Sequence, residues 1–589
     1  MRPFTLYLNT VRMMDRRIFR RLVLAGFIQN FVLSVTGMID CAVVGRYLGT
    51  DGLSAMQLAM PVFSLLSLFS MILGTGLSVA VSREMTRGET KRAAGIFDTV
   101  IETVLLISSA VTLIGIFCPS LVTVLLAGRN VDAQVFSRVT DYLKPVLSAA
   151  IPYMLYEVLG ILSMLEGADR YLRYSSIVLL SVDIAGDLLA VRLNAGLSGI
   201  AAASAAAYLF SFMTVAYFFV SGRSMFHFRF IRPDFSALVQ VVTAGLPMIM
   251  RILSEMIWPM AVNRLMLKYG TLDGLAALSI QDAVHYFPAA LCFGLASTVL
   301  ILSGIYAGEQ DGEGMKQLGK QILQWSLIGG LLMAFVMGLS AGFVLQLFTK
   351  NAETLRLSTR ALYYFLAGVP FLAFNLSAAS FLQGIGRNRS SGAVLFVDHI
   401  LAAIASAAVL ARLFGTEGIF ASYFVCELIT SLLLAAAAFI FFRKSSFLKI
   451  SGSDDVKDEF RCSIETIEEA VNASTQLHEF CLKNEISSRK AYHISLCAEE
   501  LAVNSIEHGF NDGRPHQLQM RAAITGDMLI LRLRDDCRHF NLVERYRMIN
   551  PDEPEKNIGL RIIFASADDV SYSSALDLNN VCVKVQTAK

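Results

Sequence analysis

Charge is what this chain has least of. Charged residues make up 17% of its 589 positions and hydrophobic residues 55%, whereas ordinary soluble domains carry about 25% charged residues. The apolar residues fall in long blocks, which excludes a soluble enzyme built on one large core. The net charge of +2 gives nucleic acid no electrostatic footprint to bind. Cysteine is sparse too: nine residues, scattered, with no CxxC pair. Neither a zinc site nor a disulfide framework is indicated. No P-loop occurs, so an ATP-driven motor of that kind is excluded. The basic N-terminal segment (Arg2, Arg12, Arg16, Arg17, Arg20, Arg21) runs into a full-length apolar block. A secretory signal would show a short apolar core and a small-residue cleavage site instead.

What the chain does have is length enough for several domains and a series of apolar blocks. A helix needs roughly 20 apolar residues to cross a bilayer. Twelve stretches meet that need, near 22–44, 53–81, 97–126, 143–165, 174–191, 197–220, 238–266, 275–306, 321–348, 360–383, 391–412 and 418–442. Basic residues collect after the even-numbered stretches: Arg83 and Arg87, Arg170 and Arg173, Arg223 and Arg229, Lys316 and Lys320, Arg387 and Arg389, Arg443 and Lys444. The positive-inside rule makes that side, with both termini, cytoplasmic and the protein a multi-pass plasma-membrane protein.

The two halves of this region echo one another. "GTDGL" (Gly49–Leu53) returns as "GTLDGL" (Gly270–Leu275). "IPYMLYEVLGILSMLEGADR" (Ile151–Arg170) returns as "VPFLAFNLSAASFLQGIGR" (Val369–Arg387), and Val182–Asp183 as Val397–Asp398. An offset of about 220 residues suits two six-helix bundles, here lobes 1–222 and 223–445, rather than a small solenoid unit. Six is even, so both lobes enter the membrane from one face and form parallel repeats. Such repeats place a substrate site between them and work by rocking.

Ionisable residues inside a span cost about 3 kcal/mol or more and are functional candidates by default. Asp40, Asp183, Asp187, Glu255, Asp282 and Asp398 stand in such places. Asp183 and Asp187, four apart, share one helix face. Two facing carboxylates, with Asp40, could bind Na⁺ or a proton. Like-charge crowding would let one of them exchange a proton near neutral pH. The structural reading is a carboxylate near a span end reaching the interface, and Glu255 could simply pair with Arg251.

At these residues a resemblance emerges. "IDCAVVGRYLGTDGLSA" (Ile39–Ala55) and "GLP" (Gly245–Pro247) resemble the multidrug and toxin extrusion transporters, over roughly residues 15–445. The resemblance implies efflux of small organic, often cationic, compounds in exchange for Na⁺ or H⁺. It puts the first-span aspartate on Asp40, the fifth-span aspartate on Asp187 and the seventh-span glutamate of one branch on Glu255. Asp183 stands where the family has asparagine, so branch and ion stay open.

After Phe442 the composition turns polar. A linker at 446–458 leads to a domain at 459–589 of about the right size for one unit. In "EELAVNSIEHGF" (Glu499–Phe510), Glu500, Asn504 and His508 share a helix face, where side-chain oxygens could hold Mg²⁺. In "MLILRLRDDCRHFN" (Met528–Asn541), alternating leucines make a half-buried strand ending in Asp535–Asp536. An Asp there can accept a hydrogen bond from an exocyclic amine. In "EKNIGLRIIFASADDVSY" (Glu555–Tyr572), Gly559 lies next to an apolar helix whose N-terminus could receive phosphate. The order resembles the ATP-binding fold of gyrase and histidine kinases, an α/β sandwich, and most of all its anti-sigma-factor serine-kinase branch. That resemblance implies ATP and Mg²⁺ as ligands, with Glu500 catalytic, Asn504 on the metal, and Asp535, Phe540, Asn557 and Gly559 on ATP. Cys537, His539 and Asn557 replace glycines of the family pattern. Nucleotide binding is therefore expected more firmly than turnover.

The expected protein is an all-α polytopic transporter of twelve helices in two lobes, with a C-terminal α/β nucleotide-binding domain. Its partners are the lipid bilayer, a small organic substrate and a cytoplasmic regulatory protein, which the domain binds or phosphorylates. The alternative is a membrane-anchored signalling protein whose transporter-like half is a sensor.

Overall fold

The structure is a computed structural model. It describes residues 2–87, 89–127, 133–229, 234–346, 348, 351–443, 456–511, 516–549, 558–576 and 578–587. The first lobe contains α1 (Arg2–Tyr47), α2 (Gly49–Thr86), α3 (Thr90–Phe117), α4 (Pro119–Ala127), α5 (Ala133–Ser148), α6 (Ala150–Leu165), α7 (Asp169–Arg192) and α8 (Gly196–Val220). The second contains α9 (Phe235–Gly245), α10 (Pro247–Tyr269), α11 (Leu272–Val284), α12 (Tyr286–Gly308), α13 (Gly312–Gln346) and α14 (Ala352–Gly384). It ends with α15 (Asn388–Phe396), a π-helical turn Val397–Ala402 and α16 (Ala403–Arg443).

Among the described residues, nine helices are long and apolar enough to cross a membrane, or ten if a bent pair is one span. Three features separate that number from the expected twelve. The run Asn388–Phe439 passes as one 52-residue stretch, but Gly415 at φ 59°, ψ −132° breaks it between the two stretches expected there. The stretch expected at 143–165 is bent by 50° between α5 and α6. The stretch expected at 238–266 is divided between α9 and α10 at Pro247. It also carries Arg251, Glu255 and Arg264, which lower its apolarity.

The lobes meet where α1 and α2 of the first pack against α9 and α12 of the second. A methyl group on Gly304 would run into Ser82, and one on Gly308 into Thr86. Small residues four apart on both helices let the backbones approach closely, as membrane helix pairs require. Arg83 Nη2 donates to Gly384 O at 3.0 Å across the same seam.

The C-terminal domain is a five-stranded antiparallel sheet in the order β1-β2-β3-β5-β4. Its strands are β1 (Val456–Ile464), β2 (Leu518–Thr525), β3 (Met528–Asp535), β4 (Asp569–Ala575) and β5 (Leu578–Gln586). The first strand begins inside the stretch expected to be linker. Helices α17 (Ile467–Lys483), α18 (Ser488–Gly509) and α20 (Ile558–Ser566) pack on one face, and a short α19 (Leu542–Arg547) lies near the end of β3. Alternation sorts the strands by face. Leu529, Leu531, Leu533, Met520, Val581 and Val583 join the core with Leu477, Ala498 and Ile563. The residues between them point the other way.

That other face rests on the transporter. Arg461, Arg521 and Arg532 stand directly opposite one another across β1, β2 and β3. Like charges so placed repel, and here they are met by acceptors. Arg461 pairs with Asp311 and Arg534 with Glu309. Arg521 donates to the carbonyls of Glu309 at 2.7 Å and Gln310 at 3.0 Å. Arg532 donates to the carbonyl of Thr86. Burial alone would push the Asp311 carboxyl up, but Arg461 and Arg521 outweigh it and hold it at about 2. The β4–β5 turn enters the first lobe's end: Leu576 N donates to Leu165 O at 2.9 Å, and Arg21 Nη2 to Leu576 O at 2.7 Å. Leu576 holds a φ of +61°, costing a non-glycine residue roughly 1–2 kcal/mol. Its side chain is 6% exposed within the transporter's own core, and such burial contributes about 1.5–3 kcal/mol, which offsets the strain.

Candidate functional site

Candidate residues gather in three places. The first is built on α1, α7 and α8. Asp183 and Asp187, one turn apart on α7, face Asp40 of α1, and carboxylate oxygens of all three lie within 4.8 Å of one another. They are 2%, 1% and 9% exposed, respectively. Ser204 Oγ of α8 donates to Asp40 Oδ2 at 3.3 Å. The other five oxygens, Asp40 Oδ1 and both of Asp183 and Asp187, have no hydrogen-bond partner among the described residues. Buried polar groups are nearly always satisfied, so this cluster demands protons or a cation between its members. Next to it, Tyr208 of α8 meets Tyr153 edge-on at 4.7 Å and Tyr156 at 6.0 Å. Glu255 lies on α10, but its side chain and that of Arg251 fall outside the described residues.

The second lobe holds a cluster that the sequence reading only half saw. Asp398, in the π-helical turn, lies with His399 and Glu427 at metal-ligand separation. Asn375 of α14 bridges the two carboxylates, donating to Glu427 Oε2 at 2.8 Å and Asp398 Oδ1 at 3.3 Å. Ser431 holds the Asn375 carbonyl at 2.7 Å. Glu427 is an ionisable residue in an apolar stretch, so its signal was present in the sequence. Asn375 occupies the position that echoes Glu157, a signal only the repeat reveals. Asp282, in the last turn of α11, takes a 3.4 Å bond from Tyr423.

The soluble site sits at the end of β3, on the helix-covered face. Asp535 is 5% exposed, and both its oxygens are engaged. Oδ1 accepts from Asn579 Nδ2 at 2.6 Å and Cys537 N at 3.1 Å, and Oδ2 from Ser505 Oγ at 3.1 Å. Asn579 is itself fixed by Tyr572 OH at 2.7 Å and Phe540 N at 3.3 Å. Phe540 is 56% exposed. On α18, Glu500 and Asn504 lie against Gly559 of α20: a methyl group there would strike the Glu500 carboxylate and come within 3.6 Å of Asn504 Nδ2. The structure thus brings Glu500, Asn504 and Gly559 together, with Asp535 held through Ser505 of the same helix. Asn557 lies outside the described residues. His516 Nδ1 is 3.1 Å from Asp536 Oδ1 and close to Cys537.

A two-lobed helical membrane fold with buried carboxylates in each lobe defines a transporter-type membrane protein, here joined to a separate α/β domain. The chain matches the MatE family over residues 26–186 and 247–409, more than half its length, and it belongs to that family. Residues 465–585 match the histidine kinase-like ATPase domain. The chain is 24% identical over 352 residues to a probable multidrug resistance protein, YoeA, of Bacillus subtilis, covering 57% of this chain and 74% of that one. Its fold resembles a multidrug resistance MATE transporter solved in an outward-facing conformation, with TM-score 0.68 and 19% identity over 74% of this chain and 97% of that one. It also resembles a MOP superfamily transporter from Pyrococcus furiosus, with TM-score 0.66 and 20% identity over the same shares.

Proposed function

We propose that this protein exports small organic, mainly cationic, compounds in exchange for H⁺ or Na⁺, and that its C-terminal domain binds ATP with Mg²⁺ to regulate it. The observation that carries the transport reading is the cluster Asp40–Asp183–Asp187, buried with five of six oxygens unpartnered. Three negative charges at that spacing in a low-dielectric interior repel strongly. Cations must come with them, and releasing those cations as the lobes rock would drive the cycle. The adjacent, partly buried Tyr153 and Tyr208 rings offer faces that attract an organic cation, in keeping with the multidrug name of the Bacillus relative. The basic flanks of the even-numbered spans support a plasma-membrane protein with both termini cytoplasmic.

For the soluble domain, Asn504 would offer an oxygen to Mg²⁺, Asp535 would accept from the adenine amine, and Gly559 would let backbone approach phosphate. Glu500 would act as general base if a partner's serine or threonine is phosphorylated. ATP brings a transferable phosphoryl group; the chain's part is to hold and orient it.

The deciding experiment measures ethidium efflux from vesicles holding the full chain under imposed proton or Na⁺ gradients. One gradient should drive efflux, and Asp40→Asn and Asp187→Asn should remove the dependence. Gradient-driven efflux that survives both substitutions sinks the coupling assignment.

A further inference from the structure

The C-terminal domain docks on one end of the transporter. Its open sheet face does not sit on one lobe. Arg532 holds the carbonyl of Thr86, the last residue of α2, and Lys584 Nζ donates to Arg87 O at 3.2 Å just beyond it. Arg534, Arg521 and Arg461 hold Glu309, Gln310 and Asp311, the residues that follow the end of α12. These two helix ends echo one another in the sequence, "RGE" at Arg87–Glu89 and "AGE" at Ala307–Glu309. They belong to different lobes and form the seam between them. Carbonyls at a helix C-terminus are unpaired and carry partial negative charge, so arginines suit them. Within the sheet the row of opposed arginines meets one described acceptor side chain, Glu459, which joins Arg461 at 3.0 Å and Arg521 at 3.0 Å.

The β4–β5 turn adds a wedge. Leu576 and Leu578 line a space walled by Ile18, Ser82 and Leu165 of the first lobe and Leu302, Ile305 and Tyr306 of the second. One rigid sheet thus grips both lobes and seats two leucines at their junction. Lobes that rock must part at this end for the transporter to open on this side.

We propose that the C-terminal domain is a built-in latch: its arginine face and β4–β5 turn tie the ends of α2 and α12 together and keep this side of the transporter shut until the domain lets go. This rests on the reading of the membrane half as a rocking transporter and of the domain as its regulator. A release route runs through the sheet. Asn579, which donates to Asp535, is the next residue after Leu578. Arg534, which pairs with Glu309, immediately precedes Asp535. A ligand that engages the Asp535 carboxylate therefore acts on a strand end whose neighbours are the latch contacts.

The test uses the full chain with Cys41 and Cys118 changed to serine. Spin labels go on Arg170→Cys of the first lobe and Lys316→Cys of the second, both at the docked end. The distance between them reports opening without any need for a transported substrate. In the parent one short distance should dominate. Arg534→Glu and Leu576→Asp should each raise the population at longer distance by about tenfold, a shift of about 1.4 kcal/mol. Glu309→Arg added to Arg534→Glu should restore the short distance. If a charge-reversed chain fails to give a monodisperse peak on size exclusion, Arg534→Met serves the same purpose. Identical distances in parent and released variants overturn the latch. Adding Mg²⁺ and a non-hydrolysable ATP analogue should lengthen the parent's distance, and Asp535→Ala should block that; no change on addition overturns the release route. Failure of ion coupling shows separately, as efflux indifferent to Asp187→Asn.

Discussion

The two carboxylate centres of this molecule are built in opposite ways. Asp40, Asp183 and Asp187 are buried together with a single donor, Ser204, among the described residues. Asp535 is buried alone with three donors, from Asn579, Cys537 and Ser505. A carboxylate left short of donors has its charge uncompensated and must borrow a proton or metal ion. A carboxylate with every oxygen engaged is fixed in place and reads the geometry of what approaches it. The contrast matches an exchanging site in the membrane and a recognising site in the soluble domain. The second lobe's Asp398 and Glu427 fall between the two, because Asn375 gives them a shared donor.

The largest effect should come from the under-bonded centre. Asp187→Asn should cut gradient-driven efflux by about a hundredfold, the low end of what a positioned proton-transferring group supplies, with little loss of folded protein. Asp398→Asn, in the better-satisfied cluster, should leave efflux within about twofold. Equal losses from the two substitutions would erase the distinction between the lobes. Next comes the over-bonded centre. Asp535→Ala removes an acceptor from a fixed network and should weaken binding of a fluorescent ATP analogue by about 2–3 kcal/mol, measured by titration of the purified full chain. Unchanged affinity would make Asp535 a structural hub and move the nucleotide elsewhere.

How much of this was legible beforehand follows the range of each signal. Asp183 and Asp187 are four apart, so their shared face could be read from one helix. Their meeting with Asp40, more than 140 positions away, could be raised only from its place inside a span and from the family resemblance, since no local pattern joins α1 to α7. Glu427 was visible as a lone acid in an apolar stretch and was passed over. The alternation of β3 revealed Leu529, Leu531 and Leu533 as inward. It held Arg532 and Arg534 in the same pattern, yet what they face, Thr86 and Glu309, is more than 220 residues distant. The break at Gly415 falls between the stretches expected at 391–412 and 418–442, so its place was legible, whereas its positive φ was not.

Asn375 gives a third, smaller test of the comparison. Asn375→Leu keeps the volume roughly similar but strips Asp398 and Glu427 of their common donor. The cost should be about 2 kcal/mol of stability, read as a lower midpoint of thermal unfolding in detergent. A midpoint equal to that of the parent would mean the cluster is neutralised by protons and needs no amide.

The smallest expected effect concerns a carboxylate satisfied from outside its own domain. Asp311 is held at about 2 because Arg461 and Arg521 outweigh its burial, and a free aspartate titrates near 3.8. Above about pH 5 both docked and undocked forms are ionised, and the full stabilisation of docking, up to about 2 kcal/mol, is present. As pH falls from 3.8 toward 2 the undocked form takes up its proton first, and the stabilisation drains away. Docking, followed by spin labels on Lys316→Cys and the exposed Lys483→Cys, should therefore be flat between pH 5 and 8 and loosen below 4. Asp311→Asn should remove that slope while leaving the weaker docking that remains. A slope in the neutral range that survives Asp311→Asn would place the controlling group elsewhere. The buried Glu166, pushed up to about 7 by burial against its bonds from Ser224 and Met225, would then be the residue to change.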